Sequence, residues 1–127
     1  MSIEQALKTY LLSYAELTAL VGTRIFPNTL PEGTAYPAVS FFMVSGGRDH
    51  QTPIAYPTYQ LDIWAQSKSA ILSVADALRH ALQRYKGIMS GIEVEQISIE
   101  GERDLDYEPD TKLFHRMIEI QIIYKGE

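Results

Sequence analysis

Apolar residues at Ile3, Ala6, Leu7, Tyr10 and Leu11 recur at the spacing of one helix face. Ser2 and Gln5 stand ahead of them as a capping box, in which the hydroxyl accepts from a free backbone N–H and the amide reaches back. Ser13 with Glu16 repeats that pattern before Leu17, Leu20 and Val21, so a second, short helix is expected, closed by left-handed geometry at Gly22. From Arg24 to Pro37, three prolines (Pro27, Pro31, Pro37) and Gly33 leave room only for a short extended piece at Arg24–Phe26 and an ordered loop.

Ala38–Ser45 reads as a strand with apolar residues on both faces, Val39, Phe41 and Met43 against Phe42 and Val44. The Gly46–Ile54 stretch, with paired glycines and Pro53, is expected to be a mobile turn. Tyr59, Leu61, Ile63 and Ala65 then alternate with Thr58, Gln60, Asp62 and Trp64, the pattern of a half-buried strand. Ser67 or Ser69 caps a helix whose stripe is Ile71, Val74, Ala75, Leu78, Leu82 and Tyr85; Arg84 and Lys86 complement its dipole and Gly87 ends it. In the strand Ile92–Glu100 the apolar phase slips from Ile92 and Val94 to Ile97 and Ile99, which predicts a bulge near Glu95–Gln96. An acidic loop, Glu100–Asp110, leads into a last strand with Phe114, Ile118, Ile120, Ile122 and Tyr124 inward. This order predicts an α+β fold, an antiparallel sheet with helices packed on one face, in one domain spanning residues 1–127.

Composition narrows the function classes. At 127 residues, with 46% hydrophobic and 21% charged, the chain has the make-up of a globular domain. With no cysteine, disulfides and thiolate metal sites are excluded. The start of the chain lacks the basic and apolar regions of a signal peptide, and no run approaches the ~18 apolar residues of a membrane span, so no membrane association is expected. A net charge of −5 argues against sequence-specific nucleic-acid binding. That charge is uneven: Glu93–Asp110 carries −7, which leaves +2 for the remainder.

No residue set has the form of a catalytic or cofactor site. His50, His80 and His115 are far apart and none has metal-ligand spacing with another. Asp104, Asp106, Glu108 and Asp110 alternate as in a calcium loop, yet the sixth and twelfth positions from Asp104 are Pro109 and His115 where an EF-hand needs Gly and Glu. Gly46-Gly47 lacks the lysine and spacing of a phosphate loop. Catalytic, cofactor and metal residues are therefore expected to be absent.

Trp64 is the residue out of place, an indole on the polar phase of its strand beside Gln60 and Asp62. Met117 and Ile123 do the same in the last strand, and the Ala38–Ser45 strand has Phe41 and Met43 in an apolar set to spare. If helices cover one sheet face, such residues gather on the other, and exposed apolar patches mark protein contacts. Trp64, Met117, Ile123, Phe41 and Met43 are the candidate interface; a loop folding over them within the subunit is the competing expectation. Asp104, Asp106, Glu108 and Asp110 form a candidate charged contact with a basic partner surface.

Four segments together resemble a known family. Leu17-Thr-Ala-Leu-Val-Gly-Thr-Arg-Ile-Phe-Pro27 is similar to the "L..LVG.RIYP" signature of tail completion proteins of long-tailed phages and prophages, also called tail terminator or tail-to-head joining proteins. Leu30-Pro31-Glu32-Gly33 leading to Tyr36–Phe41, Tyr59–Ala65 before the long helix, and Asp104–Arg116 before the last strand resemble later parts of that family in the same order. Ser13-Tyr14 departs from the Asp-Pro that relatives often carry there. The resemblance implies a homo-oligomer, a hexameric ring capping the tail tube, and in such a ring Asp104, Asp106, Glu108 and Asp110 become a candidate channel lining that repels DNA phosphates. The implied partners are the tail tube protein and the head connector protein, and the location is the tail–head junction of a virion assembled in the host bacterial cytoplasm. It implies no enzyme activity. The alternative is a small α+β enzyme or ligand-binding protein with a pocket between sheet and helices.

Overall fold

The computed structural model describes residues 2–126. Helix α1 (Ile3–Ser13) opens on the expected capping box, with Ser2 Oγ accepting from the Gln5 N–H at 3.2 Å and Gln5 Oε1 accepting from the Ser2 N–H at 2.9 Å. Helix α2 (Ala15–Val21) has no such cap. Its N-cap is Tyr14, and Ser13 Oγ instead donates back to the Tyr10 carbonyl at 2.6 Å. A hydroxyl bonded into the preceding turn is not available to the next helix. Gly22 ends α2 with φ 60°, a value that favours glycine.

Strands β1 (Ile25–Pro27), β2 (Ala38–Ser45), β3 (Ile54–Ala55) and β4 (Thr58–Ala65) precede helix α3 (Lys68–Leu82). After it come β5 (Gly87–Met89), β6 (Ile92–Glu108) and β7 (Leu113–Lys125). The seven strands form one sheet in the order β1-β2-β4-β7-β6-β5, with β3 extending the pairing along β7. All pairings are antiparallel except β1 with β2. The parallel pair follows from the proline-rich loop, which carries the chain from the end of β1 back to its beginning before β2 starts. Arg24 Nε donates to the Pro37 carbonyl at 2.9 Å and pins the two strand entrances together.

The phase slip in β6 is a bulge as expected: Val94 faces Tyr124 and Gln96 faces Ile123, leaving Glu95 as the extra residue. A two-residue turn with positive φ at Ser90 and Gly91 joins β5 to β6. The Gly46–Ile54 turn, expected to be mobile, carries backbone bonds at both ends, Asp49 N–H to Ile54 O and Tyr56 N–H to Gly47 O.

The core lies between the helices and one face of the sheet. Leu7, Leu11, Leu17 and Val21 from α1 and α2, and Ile71, Val74, Leu78 and Leu82 from α3, bury against Val39, Phe41, Leu61, Ile63, Ile97, Ile118, Ile120 and Ile122. Each of these strand residues belongs to the inward alternation of its strand. The intervening positions of β4 and β7 point away from the helices. Helix α3 stops at Leu82, short of the expected end at Gly87: Gln83 is its C-cap and Arg84 turns left-handed at φ 61°. Arg84 and Lys86 therefore lie past the helix, whose last turn carries Arg79 and His80 instead.

Candidate assembly surfaces

The helix-free face of the sheet is a mixed aromatic and polar surface. Across β2, β4, β7 and β6, one row is Ala38, Trp64, His115 and Leu105, and the next is Ser40, Asp62, Met117 and Arg103. The half-buried Trp64 stacks on His115 with ring centroids 3.7 Å apart and donates its indole N–H to Ser40 Oγ at 3.3 Å. His115 Nε2 lies 2.8 Å from Asp62 Oδ1, which also accepts from Gln60 Nε2 at 2.8 Å. Asp62 is only 5% exposed, so its carboxylate depends on these partners.

The candidate interface residues separate on this frame. Trp64, Met117 and Ile123 do share the helix-free phase, with Met117 7% exposed and Ile123 half-buried. Phe41 is fully buried in the core against Tyr59, ring centroids 6.3 Å apart, and leaves the surface set. Met43 shares Phe41's phase but lies beyond the helices, 49% exposed, where it lines a cleft of ≈ 790 Å³ with Ile3, Tyr59 and Tyr124. Burial pushes the Tyr59 phenol up to about 12, helped by the charge of Glu4 and by Tyr124. This cleft opens between the start of α1 and the sheet, at the edge of the core.

The acidic stretch is not the expected loop. Strand β6 continues through it to Glu108 and pairs with β7 as far as Leu113, with a turn only at Pro109–Lys112. Lys112, with φ 58°, closes that turn by donating its N–H to the Glu108 carbonyl at 2.8 Å. The stretch divides in two. Glu102 and Asp104 sit across from Ile118 and Arg116 and are held by cations. Arg79 of α3 donates to Glu102 at 2.5 and 2.7 Å, and Arg116 Nε is 3.1 Å from Glu102 and 3.4 Å from Asp104. The Arg116 N–H is not aimed along a hydrogen bond, so its pairing is one of charge alone. Lys68 at the start of α3 binds Asp104, and Asp76 also pairs with Arg79. The Lys68 hydrogen bond, with Arg116 nearby, holds the Asp104 carboxyl below the usual range; the Glu102 hydrogen bond holds the Arg79 guanidinium above its own.

Beyond that clamp the hairpin tip, Asp106–Lys112, passes the end of β4 at Ala65 and is exposed throughout. Asp106, Glu108 and Asp110 form no ion pair among the described residues; the Glu108 carboxylate accepts from Thr111 Oγ1, at 3.1 Å. Tyr107 is 44% exposed and rests on Phe114.

The histidines do not converge. His50 lies in an exposed turn, His80 Nδ1 is 2.9 Å from Glu16 across α2 and α3, and His115 belongs to the helix-free face. Among the described residues no group of three or more His, Cys, Asp or Glu is placed to hold a metal ion. No helix of the described residues is long and apolar enough to cross a membrane. Two clusters escaped the sequence reading, Asp62–His115 and Arg79–Glu102–Arg116. Arg116 gave a signal that could have been used: it shares the inward phase of Ile118, where a charge requires a partner.

What this chain presents to its surroundings is surface: a helix-free sheet face and a charged hairpin tip, on a mixed sheet backed by three helices. The family model described as tail completion protein gp17 matches residues 5–125, and the chain belongs to that family. Its role is accordingly that of a structural protein of phage-type tails. A chain of the virion of a native gene transfer agent particle superposes with a TM-score of 0.80 at 16% identity, over 98% of this chain and 96% of that one; the fold is shared. A protein from Akkermansia muciniphila, without its transmembrane region, gives a TM-score of 0.36 at 6% identity, over 68% of this chain and 45% of the other. No curated protein matches the sequence.

Proposed function

We propose that copies of this chain form a ring that caps the tail tube and joins it to the head connector, at the tail–head junction. The observation that supports this reading is the match of the tail completion family along residues 5–125, nearly the whole chain. The helix-free face supports it further. Trp64 and Met117 lie there beside Ser40, Asp62 and His115, whose polar groups already pair within the subunit, so a neighbouring protein that covers this part of the face strands none of the three. In this reading Trp64, Met117 and Ile123 lie at contacts between protein chains of the assembly, and the chain catalyses no reaction.

Deletion of the gene from its phage or prophage tests the role directly. The expected result is filled heads and separate tails that do not join, restored by the wild-type gene in trans. Normal joined particles from the deletion strain would overturn the reading.

A further inference from the structure

Six cations of the described residues, Lys8, Arg24, Arg84, Lys86, Arg103 and Lys112, form no ion pair with a described carboxylate. Two of them, Arg84 and Lys86, stand together on the connection between α3 and β5. Tyr85 between them is turned in, its ring 4.8 Å from that of Tyr10, whose hydroxyl donates to the Ala81 carbonyl at 2.6 Å. Backbone bonds from Arg84 N–H to Ile97 O and from Ile97 N–H to Tyr85 O, both 3.0 Å, fix the segment to β6. Arg84 and Lys86 are thus held outward and exposed on a rigid base. Next to them on β5 is Ile88, at 66% the most exposed large hydrophobic among the described residues. Glu93, its partner across β5 and β6, is taken by Lys125 at 3.5 Å.

This basic and apolar surface is the complement of the hairpin tip, where Asp106, Glu108 and Asp110 outnumber Lys112 and Tyr107 is exposed. The two cannot meet within one molecule. Glu93 and Tyr107 lie on the same strand, separated by roughly 45 Å of chain at ~3.3 Å per residue. We infer that they meet between copies: the tip of one subunit docks on Arg84, Lys86 and Ile88 of the next. A two-fold contact of either surface with itself places like charges together, and a reciprocal two-fold pairing of tip with patch closes at a dimer, whose mass separates it from a ring. A head-to-tail contact pairs opposite charges and covers Tyr107 and Ile88, and repetition of such a contact closes a ring when the rotation permits. The inference deepens the ring reading above by naming the lateral contact, and it assigns the acidic tip to the neighbouring subunit instead of to the channel.

The test uses charge reversal in the full chain. The tip variant (Asp106→Lys, Glu108→Lys, Asp110→Lys) and the patch variant (Arg84→Glu, Lys86→Glu) are each expected to lose the ring by native mass spectrometry at low salt. An equimolar mixture is expected to regain it, because every tip then meets an oppositely charged patch. Independently, the cysteine-free chain allows Tyr107→Cys and Ile88→Cys singly; mixed and mildly oxidised, they are expected to give a disulfide heterodimer well above the homodimers. Rings of normal mass from both charge variants, with no heterodimer, would overturn this contact and leave the ring reading standing. A wild-type chain that is monomeric at every concentration and gives no heterodimer would overturn both.

Discussion

The Trp64 indole lies flat on the His115 imidazole across the β4–β7 pair, with ring planes 16° apart. The contact gives the out-of-phase tryptophan a place within its own subunit while one side of the stack still faces outward. Trp64→Ala should therefore cost stability, about 1–3 kcal/mol by denaturant unfolding, less than the removal of a fully buried tryptophan. It should also weaken association if the helix-free face is a contact surface, whereas Trp64→Phe should retain much of both. An unchanged particle mass and joining efficiency for folded Trp64→Ala would remove this residue from the interface.

Glu102 is the carboxylate on which two guanidiniums depend. Its side chain is 17% exposed, with Arg79 on α3 to one side and Arg116 on β7 to the other. Glu102→Gln should leave both arginines facing each other and destabilise the fold by about 2–3 kcal/mol, somewhat less than breaking a fully buried pair because the site is partly exposed. Asp104→Asn, at an exposed carboxylate, should cost under about 1 kcal/mol. Thermal unfolding of the two variants side by side checks the ranking; equal losses would mean that the clamp is not centred on Glu102.

How much of this was legible in the chain depended on what each residue had to do. The inward face could be read because alternation alone places Tyr59, Leu61, Ile63 and Ala65 under the helices, and the Glu95 bulge could be read because it restores two isoleucines to that face. The strand character of Gly101–Glu108 was hidden by its charges, since acids alternating with Arg103, Leu105 and Tyr107 read as solvated loop until β7 and α3 supply partners. Phe41 and Met43 share one phase, and only the extent of the helices separates core from cleft. The Arg79–Glu102–Arg116 cluster joins three elements distant in sequence, so no local pattern records it.

Tyr59 provides a test of the cleft beside α1. Burial raises its phenol to about 12, above the ordinary value of 10.0. The folded state therefore holds the proton more tightly than the unfolded chain does. The stabilisation is fully present below pH 10 and is lost as pH rises from about 10 toward 12. Ultraviolet titration of tyrosinate should show one phenol ionising after the others, and Tyr59→Phe should remove that late step while extending stability at alkaline pH. A late step that survives the substitution would assign it to another tyrosine.

The last prediction separates the two halves of the acidic hairpin. Glu102 and Asp104 hold it against α3, but Asp106, Glu108 and Asp110 are exposed and form no ion pair among the described residues. Replacing these three with Asn, Gln and Asn removes mutual repulsion and costs no salt bridge. Stability should stay within about 0.5 kcal/mol of wild type, as for surface changes in general. The unfolding midpoint of the variant should also depend less on salt than that of wild type, because screening over a Debye length of about 10 Å at 0.1 M has less repulsion left to relieve. Thermal scans at low and high salt measure both quantities. A large loss of stability at either salt would show that the tip carries structural weight, and the separation at Asp104 between a clamped base and a free tip would then fail.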